Sequence, residues 1–336
     1  MMRAVQFQSG GVIAVVDLPT PEPKEGEVLV RVRAAGVCRT ELHLLHDVKT
    51  GRREPLVPGH EIAGTVQKAG SGVGRVRVGE SVVVHFELPC GRCRSCIRKK
   101  TNLCTEGRAL GFSANGGYAE FVVVPEDVVL AAPRTLEVEQ AATLACSGAT
   151  AYHTVVTLGG ADERDVVAVI GAGGVGLSAV QVAKARGANV VAVDPREAAR
   201  TAAKEVGADE VASPEDALGA ILAATRDRGA DVVVDLVSTT ETMQLGVAAL
   251  APGGRLVEVA LGEEGIGVSP SLLIDKEISL IGANSSTMAD FARAVDLAEA
   301  KLLKPVVTRT GSLAEAAALL HDLENGTIVG RAVLRP

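Results

Sequence analysis

The sequence predicts an α/β protein in which a mostly β part is followed by a doubly wound parallel sheet. Two observations support this fold class. Before residue 150, short apolar segments are separated by glycine and proline; after residue 160, apolar segments alternate with stretches of helical period. A chain of 336 residues is long enough for two domains of these two kinds.

The first part contains four predicted strands and one short helix. The strands are expected at 28–37, 61–70, 81–86 and 118–125, where short apolar segments are bounded by turn residues. A helical period appears only at 40–46. This part is therefore predicted to be a mostly β domain.

The second part alternates between strands and mostly helical connections. Six apolar strands with five connections predict a parallel doubly wound sheet. The six are DVVAVI, NVVAVD, EVAS, ADVVVDLV, GRLVEVAL and EISLIGA. From about residue 283 two helices and a last strand, GRAVLRP, follow, and their pattern does not assign them to either domain.

Composition narrows the functional classes. The net charge is −7 and the basic residues are scattered, which argues against a nucleic-acid partner. The first residues lack the pattern of a signal peptide, and the longest apolar stretch, 166–183, is interrupted by glycines, so no membrane segment is expected. We expect a cytoplasmic protein, whose six cysteines act as ligands or nucleophiles rather than disulfide partners.

Four of the cysteines lie within fifteen residues, with the spacing C-x2-C-x2-C-x7-C. They are Cys90, Cys93, Cys96 and Cys104. Four thiolates on so short a loop can surround one zinc ion at about 2.3 Å and leave no open coordination position. This spacing predicts a structural zinc site without chemistry of its own. Two disulfides, free surface thiols or an iron–sulfur cluster are the alternatives.

A glycine-rich turn follows the first strand of the second part. Gly171, Gly173 and Gly176 form G-x-G-x-x-G between an apolar strand and a helix, and Gly174 and Val175 complete the same turn. The glycines allow a tight turn, a close approach of the backbone to a pyrophosphate and close helix–strand packing. The helix N-terminus then faces the phosphates, so the motif predicts a dinucleotide site.

Asp194 ends the next strand, where a carboxylate can accept hydrogen bonds from the ribose hydroxyls of NAD and repel a 2′-phosphate. NAD is therefore the expected coenzyme. Asp194 is alternatively the cap of the following helix. Arg196, two residues later, is a cation that could accommodate NADP.

Several further motifs resemble those of a known protein family. They are GVCRTELH, PGHEIAGTV, the four-cysteine segment, GGYAEF, GAGGVG and the closing GRAVL. With these motifs the chain resembles the zinc-dependent medium-chain alcohol dehydrogenases over essentially its whole length. The resemblance implies a discontinuous, GroES-like catalytic domain made of residues 1–150 and 282–336, into which an NAD-binding Rossmann domain, residues 151–281, is inserted.

The resemblance also implies a second zinc ion, which would be catalytic. Its ligands would be Cys38, His60 and Cys146, with Glu61 as a fourth, exchangeable ligand. Thiolates and an imidazole suit zinc, and an exchangeable position leaves room for a substrate. The alternative is that the two cysteines are small buried apolar residues.

The family pattern implies further roles near this zinc. Thr40 would hold the alcohol hydroxyl and pass its proton through the coenzyme ribose to His43, while Arg39 and Arg331 would reach the pyrophosphate. The alternatives are a local hydrogen bond for Thr40, a surface position for His43 and surface salt bridges for the arginines. Glu41 stands where the family usually has Asp, so a supporting role near the zinc is not assured.

The implied reaction is reversible hydride transfer between NAD and a primary or secondary alcohol, or its aldehyde or ketone. The alternatives are a zinc-bearing reductase of an activated C=C bond and a non-catalytic protein that senses NAD or metal. Phe86 is a candidate pocket wall, and the scarcity of other aromatic residues predicts mostly aliphatic walls and an apolar substrate. The family rule is a homodimer or homotetramer.

Overall fold

The chain folds into two compact units in the computed structural model, which describes residues 1–51, 55–262 and 268–336. The first unit comprises Met1–Cys146, Thr287–Glu299 and Pro305–Pro336, and the second comprises Ser147–Ser286 and Ala300–Lys304. These divisions differ by four or five residues from the expected 150/151 and 281/282. Helical segments follow one another without a loop from 138 to 158, so no turn signal marks the first division.

The chain up to Cys146 is mostly β. Its strands are β1 (Met2–Gln8), β2 (Val12–Leu18), β3 (Glu27–Val37), β4 (Glu61–Ala69), β5 (Ser81–Val84), β6 (Glu87–Leu88), β7 (Arg108–Ala109), β8 (Phe121–Pro125) and β9 (Val129–Ala131). Its α-helices are α1 (Thr40–Lys49), α2 (Arg94–Ile97) and α3 (Val138–Thr143).

The middle of the chain alternates strands with helices. Its strands are β10 (Val166–Ile170), β11 (Asn189–Val193), β12 (Glu210–Ala212), β13 (Ala230–Asp235), β14 (Leu250–Glu258) and β15 (Ser279–Gly282). Its α-helices are α4 (Ala149–Tyr152), α5 (Gly174–Ala185), α6 (Glu197–Glu205), α7 (Ala217–Ala224), α8 (Thr240–Ala249) and α9 (Pro270–Lys276).

The last segment returns to the first unit. It contains α10 (Met288–Glu299), β16 (Val307–Ser312), α11 (Ala316–Glu324) and β17 (Arg331–Arg335). The periodicity of the sequence left the placement of this segment open. Hydrogen bonding settles it, because β17 pairs with β3 of the first part of the chain.

The main sheet of the first unit has the order β16-β17-β3-β4-β5-β9, and β8 also pairs with β3. β3 runs antiparallel to both β4 and β17, so the end of β3 meets the beginnings of β4 and β17 at one end of the sheet. Gly36 on β3 lies opposite Glu61 on one side and Val333 on the other. This register brings Cys38, His60, Glu61 and Arg331 to the same place.

A short ribbon closes the four-cysteine segment. β6 pairs antiparallel with β7, so residues 89–107 leave and return at neighbouring positions. Between the strands lie α2 and one turn of 3-10 helix, Thr101–Leu103. The segment, which we call the cysteine lobe, is therefore fixed at its base by strand pairing.

The second unit contains the predicted parallel sheet, with the order β12-β11-β10-β13-β14-β15. All five strand pairs are parallel. Every residue of β10, sequence VVAVI, is buried, as expected for a strand that is covered on both faces. The predicted fold class, a doubly wound sheet together with a mostly β domain, is confirmed.

The longest apolar stretch of the sequence is divided between a strand and a helix. Residues 166–183 contain β10, the glycine turn and most of α5. Among the described residues, no helix has both the length and the apolar character that crossing a lipid bilayer requires.

Five residues of the last segment, Ala300–Lys304, belong to the second unit, and the last of them is hydrogen-bonded to Gln181 on α5. The side-chain amide of Gln181 donates to the Lys304 carbonyl at 3.1 Å, and its side-chain oxygen accepts from the Lys304 amide at 2.8 Å. Two hydrogen bonds between the Gln181 side chain and the Lys304 backbone thus attach this stretch to the second unit.

Candidate active site

Four potential metal ligands converge at the shared end of β3, β4 and β17. Cys38, His60, Glu61 and Cys146 each offer one donor atom, and these atoms all lie within 4.8 Å of one another. Cys38 follows β3, and His60 and Glu61 stand at the start of β4. Cys146 lies in a π-helical turn, Leu144–Gly148, that follows α3. The four residues that the family resemblance grouped are therefore neighbours in the first unit.

Glu41 holds two of these ligands in place. Its Oε1 lies 2.6 Å from His60 Nδ1, and its Oε2 accepts the Cys38 backbone amide at 2.8 Å. Glu41 is completely buried. Because Nδ1 is engaged, His60 presents Nε2 as its donor atom, the arrangement that a carboxylate imposes on metal-binding histidines. The side chain of Glu41 thus contacts the site although it is longer than the aspartate expected there.

Glu61 is paired on one oxygen and unpaired on the other. Its Oε1 accepts from Arg331 Nε at 3.1 Å and lies 3.0 Å from Nη2. Its Oε2 is buried and has no hydrogen-bond partner among the described residues. A buried carboxylate oxygen without a partner is costly unless a cation or a proton meets it. The position is consistent with an exchangeable metal ligand.

Gly36 leaves the space that Glu61 occupies. A Cβ atom at residue 36 would lie 1.9 Å from Glu61 Oε2 and 2.8 Å from Glu61 Cβ. Since these residues face each other across β3 and β4, neither backbone can move away without breaking the ladder. Glycine at this position is therefore a requirement of the site.

The environment shifts the pKa values of the donors. Burial raises the pKa of Glu61 to about 7, against the opposing effect of Arg331. The hydrogen bond from Cys146 holds the pKa of the Cys38 thiol well below its usual range, while the same bond raises that of Cys146. Burial lowers the pKa of His60, but the charges and hydrogen bonds of Glu41 and Cys38 together outweigh it, and the net shift is upward. Because metal ligands must be deprotonated, binding of a metal ion by these donors would release protons.

The donor set fits a zinc ion. Two thiolates and an imidazole are ligands that zinc prefers, and distances below 4.8 Å allow one ion to reach all of them. The unpaired Glu61 Oε2 supplies a fourth, oxygen donor. Unlike a four-cysteine shell, this set contains a weaker ligand that a substrate can replace.

The residues expected beside this zinc are found in different settings. Thr40 begins α1 and its Oγ1 lies 3.4 Å from Cys38 Sγ. His43 is exposed on the same helix, three residues later. Arg39 is exposed and its Nη1 donates to the Leu323 carbonyl at 3.5 Å. Arg331 is 5% exposed and pairs with Glu61, a partner that the sequence did not indicate.

Aromatic rings flank His60. The ring centroids of Phe86 and Phe112 lie 5.0 and 5.2 Å from that of His60. The ring of His85 stacks on that of Phe86, with the centroids 5.5 Å apart. Phe86 was predicted as a wall of the site, whereas Phe112 and His85 were not. Two phenylalanine rings are therefore among the neighbours of His60.

The cysteine lobe has the geometry of a four-sulfur site. Its four sulfur atoms lie within 4.8 Å of one another, with Cys93 Sγ at 3.6 Å from Cys96 Sγ and 3.8 Å from Cys104 Sγ. A tetrahedral zinc ion with bonds of about 2.3 Å places its sulfur ligands about 3.8 Å apart. None of the six cysteines forms a disulfide. The alternative of two disulfides is therefore wrong.

Backbone amides of the lobe donate to the sulfur atoms. Cys104 Sγ accepts from the Cys90 amide at 3.3 Å, and Cys90 Sγ accepts from the Cys93 amide at 3.4 Å. Hydrogen bonds from backbone groups lower the pKa of Cys93 to about 6, whereas burial raises that of Cys96 to about 12. Such amides stabilise thiolates, the form in which cysteine binds a metal.

The glycine turn of the second unit has the conformation that its motif predicts. Gly171 adopts φ +95°, which favours glycine, and a Cβ at Gly176 would lie 1.9 Å from the Gly171 carbonyl oxygen. Apart from Gly173 itself and its two chain neighbours, no described residue has an atom within 4 Å of the position of a Cβ at Gly173, the residue before α5. An open backbone at a helix N-terminus is the feature that a pyrophosphate requires.

Asp194 follows β11 and is linked to this turn. Its Oδ2 accepts the Ala172 amide at 2.9 Å, and its Oδ1 accepts the Arg196 amide at 2.9 Å. The guanidinium of Arg196 also pairs with the carboxylate, at 3.0 Å. Helix α6 begins at Glu197 with Arg196 at its N-cap position, so Asp194 is not the N-cap residue.

Sequence reasoning missed three parts of this arrangement. The pairing of Glu61 with Arg331, the requirement for Gly36 and the position of Phe112 all depend on how distant segments pair. Of these three, only the requirement for Gly36 has a signal in the sequence. Gly36 begins the motif GVCRTELH, and a glycine within a strand indicates that other atoms approach closely.

Comparisons with known proteins identify the family. Residues 24–134 match the family model of an alcohol dehydrogenase GroES-like domain, and residues 174–300 match that of a zinc-binding dehydrogenase. A relative from Sulfurisphaera tokodaii, described as an NAD-dependent alcohol dehydrogenase, is 38% identical over 100% of both chains. This chain belongs to the zinc-dependent medium-chain alcohol dehydrogenase family. The predicted family is confirmed.

Solved structures of alcohol dehydrogenases match the whole chain. The crystal structure of an NAD-dependent alcohol dehydrogenase is 32% identical and covers 100% of both chains with a TM-score of 0.94. A thermostable alcohol dehydrogenase from Pyrobaculum aerophilum, bound to cobalt and zinc, is 33% identical with a TM-score of 0.88, over 100% of this chain and 99% of its own.

Substitution of Gly36 by alanine should displace the Glu61 side chain, because the added methyl group overlaps Glu61 Oε2. We expect a loss of stability of about 1–3 kcal/mol, typical of overpacking. Thermal or urea unfolding measures it. Gly74→Ala is the control, since beyond its chain neighbours no atom of the described part of the chain lies within 4 Å of the added Cβ. Equal stabilities of the two variants would contradict this account of Gly36.

Replacement of Glu41 by glutamine should weaken metal binding, because the carboxylate that orients His60 loses its charge. Loss of such an outer contact costs roughly 10- to 100-fold in metal affinity. Competition with a chromophoric chelator measures the zinc affinity of each site. Asp47→Asn, on the same helix α1, serves as the control. An unchanged affinity would mean that His60 is oriented by other contacts.

Proposed function

We propose that the protein is an NAD-dependent alcohol dehydrogenase that transfers hydride reversibly between NAD and a primary or secondary alcohol, or its aldehyde or ketone. The observation that carries this proposal is the buried cluster of Cys38, His60, Glu61 and Cys146 in a chain of this family. The name of the relative from Sulfurisphaera tokodaii supports the same reaction.

We propose two zinc ions per chain. The donor set of Cys38, His60, Cys146 and Glu61 suits a catalytic ion with an exchangeable ligand, and the four sulfur atoms of the cysteine lobe suit a structural ion. The sulfur spacing of 3.6 to 3.8 Å in the lobe supports the second assignment. When bound, the catalytic zinc supplies a Lewis acid that lowers the pKa of an alcohol oxygen.

The protein residues provide positioning and a path for the proton. Thr40 Oγ1, which lies 3.4 Å from Cys38 Sγ, would accept a hydrogen bond from an alcohol hydroxyl bound beside that sulfur and would take up its proton only as its own hydroxyl proton is passed on. His43 stands three residues later on α1, so the two side chains share a face of the helix. Because His43 is exposed, it can release the proton to solvent. Phe86 and Phe112 exclude water from the ring of His60.

The two units divide these tasks. We assign the catalytic role to the first unit and coenzyme binding to the second. In the second unit the pyrophosphate would meet the turn of Gly171, Gly173, Gly174, Val175 and Gly176, and the adenosine ribose would meet Asp194. Arg39 is exposed and remains a candidate for binding the pyrophosphate. Arg331 already pairs with Glu61, so its guanidinium would have to be shared between Glu61 and the pyrophosphate.

Oligomerisation and location are also proposals. β15 is an edge strand, and α9, the helix that precedes it in the chain, has no buried residue, with Ile274 74% exposed. An open strand edge and an exposed apolar side chain suit pairing with a second copy, in a homodimer or homotetramer. Free cysteines throughout the chain suit the reducing cytoplasm.

Measurement of NADH formation over a panel of primary and secondary alcohols tests the proposed reaction. We expect turnover that is lost on chelation and restored by zinc. Product analysis with aldehydes, ketones and activated alkenes separates carbonyl reduction from reduction of a C=C bond. Absence of turnover with every alcohol and carbonyl compound, in protein that contains zinc, would refute the proposal.

Substitution of Cys38 by serine should remove catalytic zinc and turnover while sparing the lobe. We expect the turnover rate to fall by more than roughly 100-fold. A loss of up to about that size is typical when a residue that only hydrogen-bonds to a metal ligand is removed, and Cys38 would be a ligand itself. Elemental analysis should find one zinc per chain. Turnover close to that of the unchanged protein would contradict the assignment of Cys38.

Substitution of Cys93 by serine should remove the other zinc and destabilise the lobe, because structural zinc sites contribute directly to folding. Zinc content and thermal unfolding provide the readouts. Ile97→Ala is the control within the same loop, since Ile97 is 70% exposed. Unchanged metal content and unfolding temperature in the Cys93 variant would show that the lobe holds no zinc.

A further inference from the structure

Two carboxylates of the second unit stand side by side at the carboxyl end of the parallel sheet. Asp235 ends β13 and Glu258 ends β14, and the two residues are partners in the strand register. Partnered residues of adjacent strands project from the same face of a sheet. Asp235 is completely buried and Glu258 is half-buried. The fold therefore brings two acidic side chains together in a place that is largely hidden from water.

Ser238 binds one oxygen of each carboxylate. Its backbone amide donates to Asp235 Oδ1 at 3.0 Å, and its hydroxyl donates to Glu258 Oε2 at 2.8 Å. The Val237 amide also donates to Asp235 Oδ1, at 2.8 Å. The remaining oxygens, Asp235 Oδ2 and Glu258 Oε1, are buried and have no hydrogen-bond partner among the described residues. One oxygen of each carboxylate is therefore left without a donor.

In the described part of the chain, no cation meets these two carboxylates. The elements packed against β13 and β14 are β10, β15, α8, α9 and the π-helical turn His153–Leu158. The titratable residues of these elements and of the two strands, besides the pair itself, are His153, Asp231, Glu241, Arg255, Asp275 and Lys276. None of these shifts the pKa of Glu258, which responds to burial, Asp235 and Ser238. The two oxygens without a donor therefore need a proton or a cation from outside the chain.

A proton fits this place better than a metal ion. Burial and the charge of Asp235 raise the pKa of Glu258 to about 7, against the hydrogen bond from Ser238. A protonated carboxyl offers one O–H donor, which is what Asp235 Oδ2 lacks. Calcium takes about six to eight oxygen ligands, and magnesium needs an octahedral shell. The pair offers a metal ion no more than Asp235 Oδ2 and Glu258 Oε1.

Ser238 links the two acids through an uncommon backbone conformation. Its φ is +55°, in the left-handed region that serine seldom adopts. A residue keeps such a conformation only when its surroundings enforce it. The hydrogen bonds from Ser238 to Asp235 and Glu258 supply that enforcement. The conformation of Ser238 therefore depends on whether the two carboxylates attract or repel each other.

The preceding residues pack on the glycine turn. The Leu236 amide donates to the Ile170 carbonyl at 2.9 Å, at the end of β10. A Cβ atom at Gly171 would lie 3.0 Å from Val237 Cγ2. Residues 236–238, which we call the acid-pair loop, therefore connect the two carboxylates to the turn where a pyrophosphate is expected.

We propose that Asp235 and Glu258 hold one proton between them, and that its release as the pH rises loosens the acid-pair loop and weakens coenzyme binding. Glu258 donates this proton to Asp235 Oδ2, so a charge-assisted hydrogen bond takes the place of repulsion between two anions. After release of the proton to solvent, the two anions repel each other across Ser238. The effect on the coenzyme rests on the proposed function, whereas the shared proton does not.

The pH range of the effect follows from the titration of Glu258 in the two states of the chain. In the unfolded chain its carboxyl has its ordinary pKa of 4.5, whereas in the folded chain that pKa is about 7. Between these values the folded state binds more protons than the unfolded state, so stability falls as the pH rises. Above about pH 7 both states are ionised, and this group causes no further loss.

Thermal unfolding of the zinc-loaded protein, followed from about pH 5 to about pH 8.5, compares the unchanged chain with Glu258→Gln. The side-chain amide of the variant donates to Asp235 at every pH, and its oxygen still accepts from Ser238. The two proteins should unfold alike near pH 5, and above about pH 7 the variant should unfold about 2–4 °C higher. Glu241→Gln, which neutralises an exposed carboxylate on α8, should follow the unchanged chain.

A second variant, Asp235→Asn, tests whether the two carboxyl groups act as a pair. The loss of stability between about pH 5 and about pH 7 should shrink in this variant, because Glu258 then faces an amide instead of a charge. A loss that persists in full would mean that Glu258 titrates alone, and would contradict the shared proton.

Infrared spectroscopy detects the proton without unfolding the protein. A neutral carboxyl group absorbs at a different frequency from a carboxylate. The difference spectrum between the unchanged chain and Glu258→Gln at about pH 6 should contain the band of one neutral carboxyl, which should vanish above about pH 8. This readout keeps the inference testable even if Asp235→Asn does not fold.

Calorimetry of NADH binding tests the link to the glycine turn. From about pH 6 to about pH 8.5, the Kd for NADH should rise about three- to tenfold more in the unchanged chain than in Glu258→Gln. An equal pH dependence in the two proteins would show that the proton does not act on the turn, and that part of the proposal would be wrong.

The shared proton itself is refuted if Glu258→Gln unfolds no higher than the unchanged chain above about pH 7, or if the neutral carboxyl band is absent. Stabilisation of the unchanged chain, but not of Glu258→Gln, by added K⁺ or Mg²⁺ would place a cation in the pair and would equally refute it. A protein that shows the carboxyl band and binds no NADH would overturn the proposed function and leave the shared proton intact.

Discussion

The site depends on a buried ion pair between Glu61 and Arg331. Among the described residues, Arg331 is the only buried lysine or arginine, and it lies against a completely buried glutamate. Removing one partner of such a pair leaves an uncompensated charge, which costs about 3–5 kcal/mol. The pair therefore links the beginning of β17 to the beginning of β4, next to the end of β3 where Cys38 and His60 meet.

The ion pair is incomplete in a way that suits a metal. Arg331 engages one oxygen of Glu61 and leaves the other buried without a hydrogen bond, beside two cysteine sulfurs and an imidazole. Four groups that carry or can carry negative charge, Glu41 among them, surround a single guanidinium. A divalent cation bound here would offset this excess of negative charge. The cysteine lobe contrasts with it, because four equivalent sulfurs close around their centre and offer no exchangeable ligand.

Local patterns predicted much of this structure from the sequence. The spacing of the lobe cysteines, the glycine turn and the six parallel strands depend on neighbouring residues, and all were recognised. The hairpin of β1 and β2 and the edge strand β16 were missed. Glu61 and Arg331 are 270 residues apart, so their pairing follows from strand order, which no local period records. The steric requirement for Gly36 has the same origin.

Anomalous diffraction from a crystal of the purified protein, recorded on both sides of the zinc absorption edge, tests the central claim most directly. The account predicts two zinc peaks per chain: one within the cysteine lobe and one bounded by Cys38, His60 and Cys146. A single peak in the lobe, with none beside His60, would contradict the claim that these buried donors hold a metal ion.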